Sequence, residues 1–119
     1  MPKTLETGKK GEEQALAYLK EVGYEILQVN WRWKKLEIDI IAKNEGFLTI
    51  IEVKTRKNAD FGEPEAFVTR KKQKKVIRAA HEYIKVFEVQ EEVRFDIVSV
   101  NNETGKVELI KRAYYPDLL

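Results

Sequence analysis

Residues 47–54, Phe-Leu-Thr-Ile-Ile-Glu-Val-Lys, decide how this chain folds. The run from Leu48 to Ile51 predicts a buried strand, and Glu52 and Lys54 follow at its end. Because side chains two residues apart on a strand point the same way, the carboxylate and the ammonium share one face. A buried carboxylate without a partner is costly, so the residues around Glu52 must supply one.

A second predicted strand, Glu37 to Lys43, comes just before this one across the turn Asn44-Glu45-Gly46. A two-residue loop, Glu45-Gly46, pairs Asn44 with Phe47 and sets Asp39 opposite Glu52 on the same face. Glycine at the second loop position favours this geometry, because a primed turn needs a positive φ there. The competing three-residue turn places the two acids on opposite faces unless a bulge restores the phase.

The rest of the chain supplies two helices and three further strands. The first helix is predicted from Leu5 to Val22, where Gly23 ends it, with the apolar stripe Ala15, Leu16, Leu19 and Val22. Glu12 lies four residues before Leu16 and therefore faces the sheet. Gly8 and Gly11 indicate either close approach to a ligand or an irregular helix start. The other strands are predicted at 24–32, 94–100 and 107–111.

The second helix is capped by Thr69 and runs to about Phe87, after a surface loop from Lys57 to Val68. Its apolar stripe is Val76, Ile77, Ala80, Tyr83, Ile84 and Phe87. This order of elements predicts a single α/β domain over residues 1–119, with a mixed, mostly antiparallel five-stranded sheet flanked by two helices.

Composition excludes several classes of function. With no cysteine and one histidine, His81, the chain has neither disulfides nor a thiolate or histidine zinc site. Ser99 is the only serine and lacks the glycines of a nucleophile elbow. The chain contains no membrane span or signal-peptide core, so we expect a cytoplasmic protein with no membrane partner.

Two basic segments favour contact with phosphates. Residues 70–78 hold six cations and no acid, which exceeds what solubility needs, although charge runs are usually solvated faces. Gln73 falls on the inward side among these cations. Around Trp31 and Trp33, basic residues alternate with aromatic rings that could stack on unpaired bases. Alternatively, one tryptophan is core and the other packs on a partner chain, which is compatible with a homodimer.

Two carboxylates and an ammonium at one place can hold Mg²⁺ or Mn²⁺ and steady a nucleophilic water. This combination of groups is typical of the active site of a metal-dependent nuclease. The alternative is a structural ion pair in which Lys54 or Arg56 neutralises Asp39. Glu37 is interpreted as an ion-pair partner of Lys54, Asp96 beside Arg94 as structural, and His81 as an ordinary helix residue.

Several motifs in order resemble the YraN family of uncharacterised bacterial proteins over nearly the whole chain. They are Gly8-Lys9-Lys10-Gly11-Glu12 with Ala15, Asn30-Trp31-Arg32, Glu37-Ile38-Asp39, Glu52-Val53-Lys54-Thr55-Arg56, Phe61-Gly62, Lys72 with Ala80 and Tyr83, and Arg94-Phe95-Asp96. The resemblance implies the restriction-endonuclease-like, or PD-(D/E)xK, fold, which is similar to that of archaeal Holliday-junction resolvases. It implies Asp39 and Glu52 as metal ligands, Lys54 as the lysine that activates water, and Glu12 as a helix-borne acid. Leu36 stands where the family usually has glycine.

We therefore predict a nucleic-acid-binding protein that uses Mg²⁺ or Mn²⁺ to cleave branched or unpaired nucleic acid, DNA more than RNA. The predicted catalytic residues are Glu12, Asp39, Glu52 and Lys54. The alternative is a non-catalytic nucleic-acid-binding module with the same fold. The predicted nucleic-acid-binding residues are Arg32, Lys34, Lys35, Arg56, Arg70, Lys71, Lys72, Gln73, Lys74, Lys75 and Arg78.

Overall fold

A computed structural model describes residues 2–56 and 68–116, with side chains from Lys9 onward. The predicted loop at 57–68 lies outside these residues except for Val68. Two helices and five strands form in the order α1 (Pro2–Glu21), β1 (Glu25–Trp33), β2 (Leu36–Asn44), β3 (Phe47–Arg56), α2 (Arg70–Phe87), β4 (Val93–Asn101) and β5 (Val107–Tyr114). No helix in the described part of the chain is long and apolar enough to cross a membrane.

The strands form one sheet in the order β1-β2-β3-β4-β5. Strands β3 and β4 are parallel, and the other neighbouring pairs are antiparallel. This confirms the predicted mixed five-stranded sheet with two helices, an architecture consistent with a restriction-endonuclease-like fold. The single parallel pair arises because α2 carries the chain from the end of β3 back to the start of β4.

Each face of the sheet has its own apolar core. The core on the α1 side contains Ala15, Leu19, Tyr24, Ile40, Ala42, Ile51, Val98 and Val100. The core on the α2 side contains Ile38, Ile41, Leu48, Ile50, Val68, Val76, Ile77, Ala79, Ala80, Tyr83, Phe95, Ile97 and Tyr114. Because both faces are covered, the central strands are buried over most of their length, β3 from Leu48 to Glu52 and β4 from Arg94 to Val100.

The β2–β3 turn has the predicted two-residue geometry. Asn44 pairs with Phe47, and the two loop residues have positive φ values, 54° at Glu45 and 81° at Gly46. A primed turn needs this backbone conformation, which confirms the geometry predicted from Gly46. The phase of the whole hairpin follows from this turn, since each later pair along β2 and β3 inherits its register.

Helix α1 differs from the prediction at both ends. It begins at Pro2 and ends at Glu21 rather than Val22. Gly23 adopts φ +100° and turns the chain away from the helix axis. Val22 is therefore 43% exposed and, contrary to the prediction, does not belong to the buried stripe. In α2 the Thr69 hydroxyl accepts a hydrogen bond from the Lys72 amide, as expected of its cap.

Strand β5 continues to Tyr114, three residues beyond the predicted end at Lys111. Arg112 adopts φ 53° and its amide donates to the buried Asp96 carboxylate at 3.1 Å. The side chain of Asp96 therefore bridges an irregularity in β5, after which Tyr114 pairs with Phe95. Asp96 also accepts from the Arg94 guanidinium and the Tyr24 hydroxyl, which confirms its structural role.

Gly11 lets α1 approach β3 closely. It is buried in the helix, and a Cβ atom at this position would overlap Oγ1 of Thr55. The two predicted readings of this glycine, approach to a ligand or an irregular helix start, are replaced by helix-to-strand packing within the chain.

Gly11→Ala is expected to destabilise the protein by about 1–3 kcal/mol through this overlap, although alanine is the better helix former. In a Thr55→Ala background the overlap disappears, so the same substitution should stabilise by up to about 1 kcal/mol. Urea denaturation of the four proteins measures both values. The same effect of Gly11→Ala in both backgrounds would show that Thr55 does not set the helix position.

Candidate active site

Strands β2 and β3 stop pairing at Ile40 and Ile51. Beyond this point the Val53 amide donates to Oδ2 of Asp39 at 2.8 Å, so a carboxylate takes the place of a backbone acceptor. The alternation of side chains also breaks here, because Ile38 packs in the α2-side core and Ile40 in the α1-side core. Asp39 therefore lies where the hairpin opens.

Glu52, on β3, is a buried carboxylate with 5% of its surface exposed. Its pKa is raised to about 7, first by burial and then by the negative charge of Asp39, against the lowering effect of Lys72 and Lys54. Burial also raises the pKa of Asp39, opposed by the Val53 hydrogen bond and the Lys72 charge. The two acids are thus electrostatic neighbours in a poorly solvated place, as the hairpin register predicts.

Lys72, on α2, forms an ion pair with Glu52. Its Nζ lies 3.7 Å from Oε2 of Glu52, and its charge lowers the pKa of both carboxylates. The sequence predicts Lys72 as a family-motif and phosphate-binding residue but not its contact with Glu52, because a contact between helix α2 and strand β3 leaves no local signal. Lys54 also lowers the pKa of Glu52, so two ammonium groups act on this acid.

Glu12 faces the sheet from α1, as its position in the helix predicts. Its Oε1 accepts a hydrogen bond from Nδ2 of Asn30 at 3.0 Å, and its negative charge contributes to the raised pKa of Asp39. Asn30 lies within β1 yet adopts φ 53°. Such a conformation costs about 1 kcal/mol or more outside glycine and is best tolerated by asparagine. Asn30 was not among the predicted site residues.

The donor set fits a small hard cation. Within residues 9–56 and 68–116, no three acidic or histidine side chains gather closely enough to form a complete metal cage. Mg²⁺, however, is commonly held by one or two carboxylates, with waters and substrate phosphates completing its shell. Asp39 and Glu52 supply this number of carboxylates, and a cation would relieve the repulsion that raises the pKa of Glu52.

The β1–β2 hairpin carries three of the predicted basic residues. Arg32 lies 3.8 Å from Glu37, its cross-strand neighbour. Glu37 is therefore an ion-pair partner of Arg32 and not of Lys54, because β2 and β3 no longer pair at that level. Lys34 and Lys35 form the exposed turn, with Lys34 Nζ 4.5 Å from the centre of the Trp33 ring. The other tryptophan, Trp31, packs edge-on against Tyr83 in the α2-side core.

Two further predicted residues have partners within the chain. Arg56 donates to Glu108 at 2.8 Å, and the Gln73 amide donates to the Val68 carbonyl at 3.0 Å. Along the same helix as Gln73, the predicted cations Arg70, Lys71, Lys74, Lys75 and Arg78 are exposed. His81 is also exposed, as expected of an ordinary helix residue.

Strand directions bring these groups to one end of the sheet. The β1–β2 turn, the carboxyl ends of β3 and β4 and the start of α2 all lie there, as the Lys72–Glu52 contact shows for the helix. The acid pair is consequently surrounded by the basic hairpin turn and the basic half of α2.

Comparison with known proteins identifies the family. The family model of "Uncharacterised protein family UPF0102" matches residues 11–100. The chain belongs to this family. It is 48% identical to a UPF0102 protein of Bacteroides thetaiotaomicron over 115 residues, covering 95% of each chain. It is 43% identical to a UPF0102 protein of Thermodesulfovibrio yellowstonii over 111 residues, covering 93% of this chain and 97% of the relative. UPF0102 is the YraN family, so the resemblance drawn from the motifs is confirmed.

The raised pKa of Glu52 predicts a pH-dependent stability. The pKa is about 7 in the folded protein and 4.5 in its ordinary state, so folding retains a proton between these values. The contribution of protonated Glu52 to the free energy of unfolding is fully present below pH 4.5 and is lost as the pH rises through 7. Between pH 5 and pH 8 the free energy of unfolding of the wild type should therefore fall by about 2 kcal/mol more than that of Glu52→Gln, as measured by urea denaturation.

Glu13→Gln, at an exposed position of the same charge on α1, is the matched control and should keep the wild-type pH dependence. Parallel stability curves for wild type and Glu52→Gln would mean that Glu52 is solvated and ionises normally.

Proposed function

We propose that this protein is an endonuclease that uses Mg²⁺ or Mn²⁺ to cleave branched or unpaired nucleic acid, DNA in preference to RNA. The observation that carries the proposal is the pair formed by the half-buried Asp39 and the buried Glu52 at the open end of the β2–β3 hairpin, with Lys54 and Lys72 beside it. A purely binding surface has no use for buried acids that repel phosphate.

Asp39 and Glu52 are the residues that would hold the cation. When bound, such an ion polarises the phosphate and lowers the pKa of a coordinated water. The chain supplies the remaining effects. Lys54 lies on the same strand as Glu52, where its ammonium can stabilise the charge that develops on the phosphate. Lys72 neutralises Glu52 in the free protein and can turn to a phosphate oxygen once a cation takes over that role.

Glu12 completes the site from the opposite side of the sheet. The Asn30 amide occupies one carboxylate oxygen and fixes the orientation of the other, which can accept a hydrogen bond from the attacking water. Asn30 makes this contact from a strained backbone conformation. The local geometry of β1 therefore orients the Glu12 carboxylate in addition to pairing with β2.

The substrate class follows from the surroundings of the acids. Exposed cations on α2 and in the β1–β2 turn lie at the same end of the sheet and can track a phosphate backbone. Trp33, half-buried beside the Lys34–Lys35 turn, offers a ring on which an unpaired base can stack. This combination favours nucleic acid with unpaired or branched character over a regular duplex.

A non-catalytic nucleic-acid-binding module is the second candidate. It is favoured by the Lys72–Glu52 ion pair, which already neutralises one acid, and by the lack of a three-acid cluster among the described residues. In this case the role of Asp39 is to stabilise the β2–β3 hairpin by accepting the hydrogen bond from the Val53 amide.

Cleavage assays on junctions, flaps, single strands and RNA separate the two candidates. Asp39→Asn and Lys54→Ala should each lower Mg²⁺- or Mn²⁺-dependent cleavage by about 100-fold or more, because each removes a group that acts on the reacting phosphate. Asp39→Asn should keep or strengthen DNA binding, since it removes a charge that repels phosphate. Glu13→Gln, which removes a surface acid, should cleave like the wild type.

A wild-type protein that cuts none of these substrates with either metal, yet binds them in a salt-dependent way, would exclude the nuclease and support the binding module.

The basic half of α2 predicts how binding responds to salt. Changing Lys71, Lys74 and Lys75 to glutamate should weaken binding and flatten the plot of log K against log salt by about 0.7–0.9 per lost phosphate contact. All three side chains are exposed, so the fold should persist. The same reversal at the exposed Lys20, Lys85 and Lys106 changes the net charge equally and should have a much smaller effect. Equal losses in both triple variants would assign binding to net charge alone.

A further inference from the structure

The hydroxyl of Tyr114 is buried without a hydrogen-bond partner among the described residues. Only 8% of the residue surface is exposed. Leaving such a group unsatisfied costs about 1–3 kcal/mol, so an unpartnered hydroxyl in a native core calls for an explanation. The buried Tyr24 is the opposite case, because its hydroxyl donates to Asp96 and accepts from Arg94.

The position of Tyr114 brings its side chain to the same face of the sheet as Glu52. It pairs with Phe95 on β4, and the two rings stack with centroids 5.2 Å apart. Phe95 and Ile97 lie in the α2-side core, and Ile97 pairs with Glu52 on β3. Tyr114 thus lies in the α2-side core, on the face of the sheet that carries Glu52 and one strand beyond β4.

Electrostatics agree with this placement. Burial raises the pKa of Tyr114, and the negative charges of Glu52 and Asp39 raise it further. The hydroxyl therefore keeps its proton at neutral pH and can act as a donor. The hydroxyl makes no hydrogen bond to either carboxylate and has no other acceptor in the described part of the chain, although the charges of both acids act on it.

We propose that the Tyr114 hydroxyl is a further binding group of this site, which donates a hydrogen bond to an oxygen held beside Asp39 and Glu52. The oxygen belongs either to a water in the shell of the bound cation or to a substrate phosphate. The inference rests on the proposed function and adds a residue from β5, the strand farthest along the chain from the acids. The stacked Phe95 ring holds the tyrosine in place.

Tyr114→Phe tests this role because it removes the hydroxyl alone. A merely buried hydroxyl predicts equal or higher stability and unchanged function. A binding hydroxyl predicts equal or higher stability together with a functional loss of about tenfold, the value of one hydrogen bond. Tyr24→Phe is the matched control, which should lose stability because Asp96 and Arg94 lose a partner, and should keep wild-type function.

Three measurements on the full chain give the result: urea denaturation, calorimetric binding of Mn²⁺ alone, and binding and cleavage of a branched DNA. Weaker Mn²⁺ binding by Tyr114→Phe assigns the hydroxyl to a water of the cation, and an effect confined to DNA assigns it to phosphate. If Tyr114→Phe keeps the wild-type Mn²⁺ affinity, DNA affinity and cleavage rate, the inference about Tyr114 is overturned and the proposed nuclease function is unaffected.

If the wild type cuts nothing, the nuclease proposal fails, and the two binding measurements still decide the role of Tyr114. If it binds neither Mn²⁺ nor DNA, both proposals are overturned.

Discussion

The desolvation of two neighbouring carboxylates, Asp39 and Glu52, is the constraint on which the site depends. The hairpin register carries both acids to the place where β2 leaves β3, and the surrounding cores exclude much of the water. Each acid is compensated only in part, Asp39 by the Val53 amide and Glu52 by Lys72 at 3.7 Å. The raised pKa of Glu52 reflects the desolvation and the repulsion from Asp39 that these partners do not offset.

The contrast with Asp96 separates a structural acid from a candidate functional one. Asp96 is fully buried, and its two oxygens accept from the Arg94 guanidinium, the Tyr24 hydroxyl and the Arg112 amide. Such a carboxylate is satisfied within the chain and gains nothing from an external cation. Asp39 and Glu52 are also largely removed from water, yet their partners leave charge that a cation could neutralise. Fold stability alone is better served by the arrangement around Asp96.

Local signals in the sequence were sufficient for the fold. Glycine at position 46 set the turn, and the turn set the register as far as Ile40 and Ile51, just before Asp39 and Glu52. The contacts of Lys72, Asn30 and Tyr114 could not be found in this way, because each depends on how side chains of two separate elements pack together. The predicted fifth strand even ended before Tyr114, since the bulge at Arg112 interrupts the pattern that marks a strand.

Lys72 links the two halves of the proposed function. One ammonium can neutralise Glu52 or a phosphate oxygen, but the two acceptors compete for it. In the proposed function, a cation at Asp39 and Glu52 would free the lysine for the substrate, and a bound phosphate that recruited the lysine would raise the affinity of the acids for a cation. By linkage, each ligand then raises the affinity for the other by the same factor. A surface that binds nucleic acid through solvated cations alone has no group of this kind, so cooperative binding of metal and DNA distinguishes the proposed site from a simple basic face.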